Sequence, residues 1–320
     1  MSTDSPQELG LRLRERDRSA APAALNAIED RSPRGREVAE ALLAELSPAA
    51  LGREAPAHLV GITGPPGAGK STLLSALVAL WRERRRTVAV LAVDPSSKRS
   101  GGSLLADRAV IEHDPRDDGI LIRSTAPRAR LGALGAPTRA SADLLAVAFD
   151  VVVVETVGVG QSETDVEEVC DTVVVVVQPA SGDVLQFLKA GIMEVPDVLV
   201  VTKADLGDAA RHAERDLRAA LGALGSAHVP VVAVSSVPPP TGIEELADAL
   251  DEHRERTDLV ERRPRSRRLS ALREFVAEHG EGGLRGLGGR REAEAFLGGR
   301  DPDESVSALR EALEGLEAKA

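Results

Sequence analysis

Residues 64–71 read Gly-Pro-Pro-Gly-Ala-Gly-Lys-Ser and lie between the apolar run 59–62 and the helix-like run 72–77. This order of strand, glycine-rich loop and helix is typical of a phosphate-binding loop, in which backbone N–H groups and the positive end of the helix face one anion. Lys70 brings a positive charge to the β- and γ-phosphates, and the Ser71 hydroxyl is a ligand for Mg²⁺. The stretch therefore predicts that this protein binds a nucleoside triphosphate. The predicted phosphate contacts are Gly64, Pro65, Pro66, Gly67, Ala68, Gly69, Lys70, Ser71 and Thr72.

The rest of the chain predicts an α/β fold. Seven short β-branched runs are near-continuously apolar, which is typical of a mostly parallel sheet covered by helices on both faces. The predicted strands are 58–62, 87–93, 120–124, 150–155, 172–177, 197–202 and 229–235. We therefore expect a three-layer P-loop NTPase domain over 57–255, with an N-terminal helical extension over 1–56 and a C-terminal helical extension over 256–320.

Composition and charge narrow the class of protein. The 51 acidic and 40 basic residues give a formal net charge of −11, which disfavours binding to nucleic acid or to an anionic membrane. Residues 1–5 lack the basic and apolar regions of a signal peptide, and the longest apolar runs are shorter than a membrane span. Cys170 is the single cysteine, which excludes an intrachain disulfide and favours a buried, inert thiol. We expect a cytoplasmic protein whose partners are a nucleotide and another protein.

Two arginine clusters are interpreted without a role in catalysis. Arg82, Arg84, Arg85 and Arg86 end the helix that follows the loop, where positive charge complements the helix dipole. The run 262–268, Arg-Arg-Pro-Arg-Ser-Arg-Arg, is most simply a solvated hinge, with contact to an anion or a partner as the alternative.

A carboxylate follows the valine run 151–154. Nucleotidases place a Mg²⁺ ligand and a γ-phosphate sensor at this end of a central strand. Glu155 is therefore a candidate ligand, directly or through water, and Gly158 is the candidate hinge whose N–H reaches the γ-phosphate. The alternative, in which Glu155 only caps the strand, is disfavoured because an ionised carboxylate beside a buried strand end needs a partner.

The segment Thr-Lys-Ala-Asp (202–205) follows another predicted strand and favours guanine over adenine. Guanine presents two donors, N1–H and the exocyclic amine, and one carboxylate accepts both, so Asp205 argues for GTP. The stem of Lys203 would lie along the base. Ser235 and Ser236 end the last strand and are candidates for a contact to the guanine carbonyl, although this last motif is weak by itself.

Seven motifs, taken in order over about residues 20–255, resemble the MeaB/MMAA family, also called ArgK. They are Gly-Ile-Thr-Gly-Pro-Pro-Gly-Ala-Gly-Lys-Ser (61–71), Val-Asp-Pro-Ser-Ser (93–97), Gly-Gly-Ser-Leu-Leu-Ala-Asp-Arg (101–108), Glu-Thr-Val-Gly-Val-Gly-Gln-Ser-Glu (155–163), Ser-Gly-Asp-Val-Leu-Gln (181–186), Lys-Ala-Gly-Ile-Met-Glu (189–194) and Thr-Lys-Ala-Asp (202–205). Members of this family are P-loop GTPases that act as chaperones of adenosylcobalamin-dependent acyl-CoA mutases, above all methylmalonyl-CoA mutase.

The resemblance implies a homodimeric, Mg²⁺-dependent GTPase that couples hydrolysis of GTP to GDP to delivery of the cobalamin cofactor and to protection of the mutase. Its implied metal ligands are Ser71, Asp94, Asp107 and Glu155. Lys70, Asp94, Asp107, Glu155, Gln161 and Lys189 are the implied catalytic residues. Gln161 lies in the second switch, and Asp183, Gln186 and Lys189 lie in an additional switch that senses the partner. Without the resemblance, 182–189 would be interpreted as an ordinary charged loop before a helix.

The chain also departs from the family pattern. Thr202 replaces the usual asparagine of the guanine motif, and it cannot supply both an amide donor and an acceptor. Lys98-Arg99-Ser100 replaces a Pro-Phe-Thr-like stretch, and Asp183-Val184 replaces an acidic pair. The glycine-rich part after residue 264 matches poorly, although the resemblance implies a dimerisation arm there.

Two other functions are compatible with a P-loop core. A nickel-type metallochaperone GTPase would need a Cys/His cluster, but the six histidines are scattered along the chain and Cys170 stands alone. An ATP-using kinase linked to amino-acid transport is disfavoured by Asp205. Slow intrinsic GTP hydrolysis that is accelerated by a partner is the leading prediction.

Overall fold

The computed structural model describes residues 4–93, 111–125, 136–156, 162–179 and 196–317. The chain forms two compact units. One consists of Ala57–Thr138 and Phe149–Thr257, and the other of Met1–Pro56, Arg139–Ala148 and Asp258–Ala320. The terminal segments, treated in the sequence as separate extensions, thus belong to one unit. No helix within the described ranges has the length and apolar character needed to cross a membrane.

The strands and helices are introduced in chain order. The strands are β1 His58–Thr63, β2 Val88–Val93, β3 Ile120–Thr125, β4 Val151–Thr156, β5 Thr172–Val177, β6 Val198–Val201 and β7 Val231–Ala233. The α-helices of the described residues are α1 Pro6–Arg14, α2 Ala21–Glu29, α3 Pro33–Glu45, α4 Pro48–Leu51, α5 Lys70–Glu83, α6 Ala136–Ala148, α7 Ser162–Val169, α8 Asp208–Ala223, α9 Ile243–Arg256, α10 Leu259–Gly286, α11 Arg290–Gly298 and α12 Val306–Glu317.

The seven strands form one sheet in the order β3-β2-β4-β1-β5-β6-β7, and each neighbouring pair is parallel. The predicted fold class is confirmed. The strand bounds differ from the predicted ones by one or two residues at most ends, and β7 is shorter at both ends than the predicted 229–235.

Helices cover both faces of the sheet, which explains why its strands are apolar throughout. Val174 and Val175 are neighbours in β5, so their side chains point to opposite faces. Val174 shares an apolar cluster with Leu77 of α5 and Leu250 of α9, whereas Val175 shares another with Leu217 of α8. These positions are all buried, so alternation with polar residues would leave polar groups in the core.

Gly61 in β1 lets α7 approach the sheet closely. A Cβ atom at this position would lie 2.0 Å from the Val166 side chain and 3.2 Å from the sulfur of Cys170. Cys170 is buried, as predicted for an inert thiol.

Arg82 and Arg86, at and just after the end of α5, pair with carboxylates, which agrees with their interpretation as structural residues. The Arg82 guanidinium donates two hydrogen bonds to the Asp117 carboxylate, at 2.8 and 2.7 Å. Arg86 binds Asp251 in the same paired manner, at 2.6 and 2.9 Å. Paired geometry of this kind fixes the orientation of both side chains.

In the second unit, the basic run 262–268 lies inside α10, so its interpretation as a solvated hinge was wrong. Arg267 donates to both carboxylate oxygens of Glu54, at 3.0 and 2.7 Å, and Arg263 donates to the carbonyl of Ala55 at 2.6 Å. Both arginines are buried. Because they are four residues apart, they share one face of the helix, and that face is turned inward.

Glu274, on α10, carries the clearest titration anomaly of this unit. Burial raises the pKa of its carboxyl from the usual 4.5 to about 7, even though the positive charges of Arg310 and Arg139 act to lower it. The carboxylates of Asp143 and Glu278 add to the increase.

We expect Glu274 to make the protein less stable as the pH rises. Because the pKa is higher in the folded than in the unfolded chain, the folded state binds the proton more tightly, and the free energy of unfolding falls between about pH 4.5 and about pH 7. Glu274→Gln should remove this decrease, which amounts to at most about 3 kcal/mol. Urea unfolding at pH 5 and pH 8 measures it. Glu281→Gln, an exposed site on the same helix, is the control, and an unchanged pH dependence in Glu274→Gln would contradict the prediction.

Candidate functional site

The predicted phosphate-binding loop connects the carboxyl end of β1 to the first turn of α5. Gly64 has a φ of 144°, and a Cβ atom there would lie 2.2 Å from the carbonyl oxygen of Val176 in β5. A side chain would therefore collide with backbone as well as strain the turn. Gly69 precedes α5 with a φ of 91°, so the loop enters the helix through another left-handed residue. Glycines in such conformations are what a phosphate-binding loop needs in order to turn its N–H groups toward one anion.

Lys70 lies across the loop. Its Nζ donates to the carbonyl oxygens of Gly64 at 2.7 Å and Pro65 at 3.1 Å, and the residue is 7% exposed. A buried ammonium group needs such partners. The ammonium group is thus held within the turn where the predicted phosphates would bind.

Ser71 and Glu155 come together at the same edge of the sheet. The Ser71 Oγ donates to Glu155 Oε1 at 2.9 Å. Glu155 is 9% exposed and lies in β4 opposite Ile62 of β1, which places its carboxylate beside the loop. A hydroxyl and a carboxylate oxygen are the hard ligands that Mg²⁺ prefers.

Thr202 fastens the loop to the neighbouring strands. Its Oγ1 lies 2.6 Å from the carbonyl oxygen of Ala68 and 3.1 Å from that of Val177, and its backbone N–H donates to Val177 at 2.9 Å. The residue is 4% exposed. Thr202 therefore stabilises the loop from the carboxyl end of β6.

Asp205 lies at the next position along this edge. Its Oδ1 accepts a hydrogen bond from Ser235 Oγ at 2.8 Å, and the same hydroxyl accepts from the backbone N–H of Val237 at 3.2 Å. Asp205 is exposed, whereas Ser235 is buried. The contact assigns Ser235 a role that the sequence did not indicate, since it holds the carboxylate. Ser236 follows it in the chain.

Lys203 has one contact that sequence reasoning missed. Its Nζ donates to Gln178 Oε1 at 2.6 Å and lies 3.4 Å from the carbonyl oxygen of Gly67. Gln178 directly follows β5, and its position as a polar residue at the carboxyl end of a strand could have indicated that it belongs to the site. These contacts hold the lysine stem beside the loop.

The structure thus brings the loop, Glu155, Thr202, Lys203, Asp205 and Ser235 to the carboxyl ends of β1, β4, β5, β6 and β7. Ligands of open α/β sheets bind at this edge. Pro66 and Gly67 belong to the loop that lies there, and Thr72 lies in the first turn of α5. The predicted residues Asp94, Asp107, Gly158, Gln161 and Lys189 lie outside the described residues, as do Asp183 and Gln186.

Comparison with known proteins identifies the family. The model of the methylmalonyl-CoA mutase-associated GTPase MeaB matches residues 21–281. The chain belongs to the MeaB family. The resemblance noted in the sequence is confirmed, and this chain is a P-loop GTPase, a class of protein that uses guanine nucleotides.

Two relatives and one solved structure illustrate the similarity. A Mycobacterium tuberculosis protein named "Probable GTPase" is 41% identical over 260 residues, which cover 79% of this MeaB chain and 76% of the relative. A Caenorhabditis elegans protein named "Methylmalonic aciduria type A homolog, mitochondrial" is 39% identical over 210 residues, or 62% of this chain and 52% of the relative. A crystal structure of a protein named "LAO/AO transport system kinase" superposes with a TM-score of 0.66 and 26% identity, covering 98% of both chains.

Proposed function

We propose that this MeaB protein hydrolyses GTP at the carboxyl edge of its sheet and uses that reaction to gate the delivery of adenosylcobalamin to an acyl-CoA mutase, which it also protects. The observation that carries the GTPase half is the convergence of Lys70, the Ser71–Glu155 pair and the Asp205–Ser235 pair on one edge. The mutase half is supported by the description of the family model and by the name of the C. elegans relative.

In the proposed reaction, a water oxygen forms a bond to the γ-phosphorus while the bond from phosphorus to the β–γ bridging oxygen breaks, giving GDP and phosphate. Lys70 leaves the carbonyls of Gly64 and Pro65 for the phosphate oxygens, where it neutralises developing charge. The backbone N–H groups of the loop and the amino end of α5 orient the phosphates. The chain supplies positioning and charge, and no side chain acts as a nucleophile.

The Ser71–Glu155 pair fits Mg²⁺. Both groups offer oxygen, and Glu155 is held beside the loop by the pairing of β4 with β1. Ser71 would ligate the ion, with Glu155 as a direct ligand or through water. The ion would supply charge neutralisation at the β- and γ-phosphates. Asp94 and Asp107 remain predicted members of this ligand set.

Partner coupling is tested by single-turnover GTP hydrolysis with and without an adenosylcobalamin-dependent methylmalonyl-CoA mutase. We expect slow hydrolysis alone and an acceleration of about tenfold or more with the mutase, which corresponds to a barrier lower by about 1.4 kcal/mol. Serum albumin at equal concentration is the control. Equal rates with mutase and albumin would contradict the coupling, whereas acceleration only by an isobutyryl- or ethylmalonyl-CoA mutase would change the client. The homodimer and the cytoplasmic location stay predictions.

The two alternative functions, an ATP-using kinase and a nickel metallochaperone, make different demands on the site. A structurally similar protein is named a kinase, which favours a test of ATP use, and an ADP affinity tenfold above that of GDP would support that alternative.

For a nickel metallochaperone, the described residues offer one converging group of possible ligands, Glu278, His279 and Glu314. Arg310 Nη1 lies 3.1 Å from a carboxylate oxygen of each glutamate, so an arginine already serves as their cation.

A further inference from the structure

The contacts of Thr202 determine whether its hydroxyl can donate a hydrogen bond to a bound base. In the guanine motif of this family the residue is usually asparagine, whose amide nitrogen carries two protons, whereas a threonine hydroxyl carries one. Thr202 Oγ1 lies 2.6 Å from Ala68 O and 3.1 Å from Val177 O. Both neighbours are carbonyl oxygens and only accept, so the single proton is directed to one of them.

Burial fixes this arrangement. Thr202 is 4% exposed, and a Cβ atom on Gly69 would lie only 3.8 Å from its side chain, so the hydroxyl is enclosed by the loop. Turning the proton toward a ligand would take this donor from the buried carbonyl oxygen of Ala68, which is unfavourable, whereas Val177 O would keep the backbone N–H of Thr202. The hydroxyl thus stabilises the loop and does not remain available as a donor to a bound base.

Guanine offers two different edges. N7 and O6 accept hydrogen bonds on one edge, whereas N1–H and the exocyclic amine donate on the other. Asp205, a carboxylate, accepts from the donor edge, and its orientation is set by the 2.8 Å hydrogen bond from Ser235. N7 has no proton, so a contact with it requires a donor, and Thr202 has already used its own.

We propose that this protein recognises guanine through the donor edge at Asp205 and makes no hydrogen bond to N7, because Thr202 gives its one proton to the phosphate-binding loop. This inference rests on the proposed guanine-nucleotide site. In this proposal residue 202 stabilises the phosphate-binding loop, and the Asp205–Ser235 pair selects the base.

The test compares GDP with 7-deaza-GDP, in which a C–H group replaces N7 and the donor edge is unchanged. We expect the wild-type protein to bind the two nucleotides with dissociation constants that agree within twofold in calorimetric titration. A fivefold or greater preference for GDP would overturn the inference, because it would reveal a donor to N7. Absence of GDP binding, or tighter ADP binding, would instead overturn the proposed function along with it.

Two variants test whether the number of protons on the side chain at position 202 decides the contact with N7. Thr202→Asn supplies two amide protons, one for Ala68 O and one for N7, so GDP should now be preferred over 7-deaza-GDP by about two- to tenfold, the effect of one neutral hydrogen bond. Thr202→Val keeps the shape without the hydroxyl and should weaken both nucleotides by the same factor. If Thr202→Asn bound both nucleotides equally, residue 202 would not face N7 and the explanation would be wrong.

Discussion

Replacing Asp205 with asparagine is expected to weaken GDP binding by about 100-fold and to create binding of xanthosine diphosphate. The carboxylate accepts from both guanine donors, and losing two charge-assisted hydrogen bonds costs about 3 kcal/mol or more. Xanthine has a carbonyl where guanine has its amine, so an asparagine amide can donate to it while accepting from N1–H. Ser235 Oγ would donate to the remaining carbonyl oxygen as it now does to Oδ1 of Asp205, which turns the amide nitrogen toward the base. Calorimetric titration with both diphosphates measures the exchange.

The control for this prediction is Ser235→Ala, which keeps the carboxylate but removes the hydroxyl that orients it. We expect it to weaken GDP binding by less than about tenfold, the value of one hydrogen bond, without any gain for xanthosine diphosphate. An Asp205→Asn protein that bound GDP as well as the wild type would show that this carboxylate does not read the base.

The local pattern was sufficient to predict the fold of the sheet-containing unit. Strands buried on both faces must be apolar throughout, and runs such as 151–154 and 173–177 show this without ambiguity. The loop was equally clear, because its glycines, lysine and serine occur at the spacing that phosphate binding requires. Sheet order and the pairing of Ser71 with Glu155 follow from the way in which these parts pack.

The second unit shows which features a local sequence pattern does not predict, namely contacts between distant parts of the chain. A run of arginines resembles a solvated segment, and nothing near 262–268 indicates that Glu54, more than 200 residues earlier, pairs with Arg267. The inclusion of 139–148 in the same unit as both chain ends is also a long-range property. At the site, Thr202 was recognised as a departure from the family, but only its two carbonyl neighbours reveal that its proton is already used.

Replacing Lys70 with alanine is expected to lower the rate of single-turnover GTP hydrolysis, at saturating GTP, by about 100-fold or more. Loss of one preorganised group that stabilises transition-state charge has an effect of this size. The structure places this ammonium group inside the loop, on the carbonyls of Gly64 and Pro65, where the proposed phosphates would bind. Lys70→Arg should also be strongly impaired, because the planar guanidinium cannot replace a compact ammonium among those carbonyls.

The matched control is Arg84→Ala, which removes a cation at the opposite end of the same helix, where it pairs with Asp248 at 2.8 Å. Its hydrolysis rate should equal that of the wild type, and near-unchanged thermal unfolding of both variants would exclude a general loss of structure. A Lys70→Ala protein within fivefold of the wild-type rate would mean that the γ-phosphate is not bound at this loop. Since Ser71 and Glu155 are assigned to Mg²⁺ through the same loop, that result would remove the basis for their roles as well, while leaving base recognition by Asp205 to be judged by its own titration.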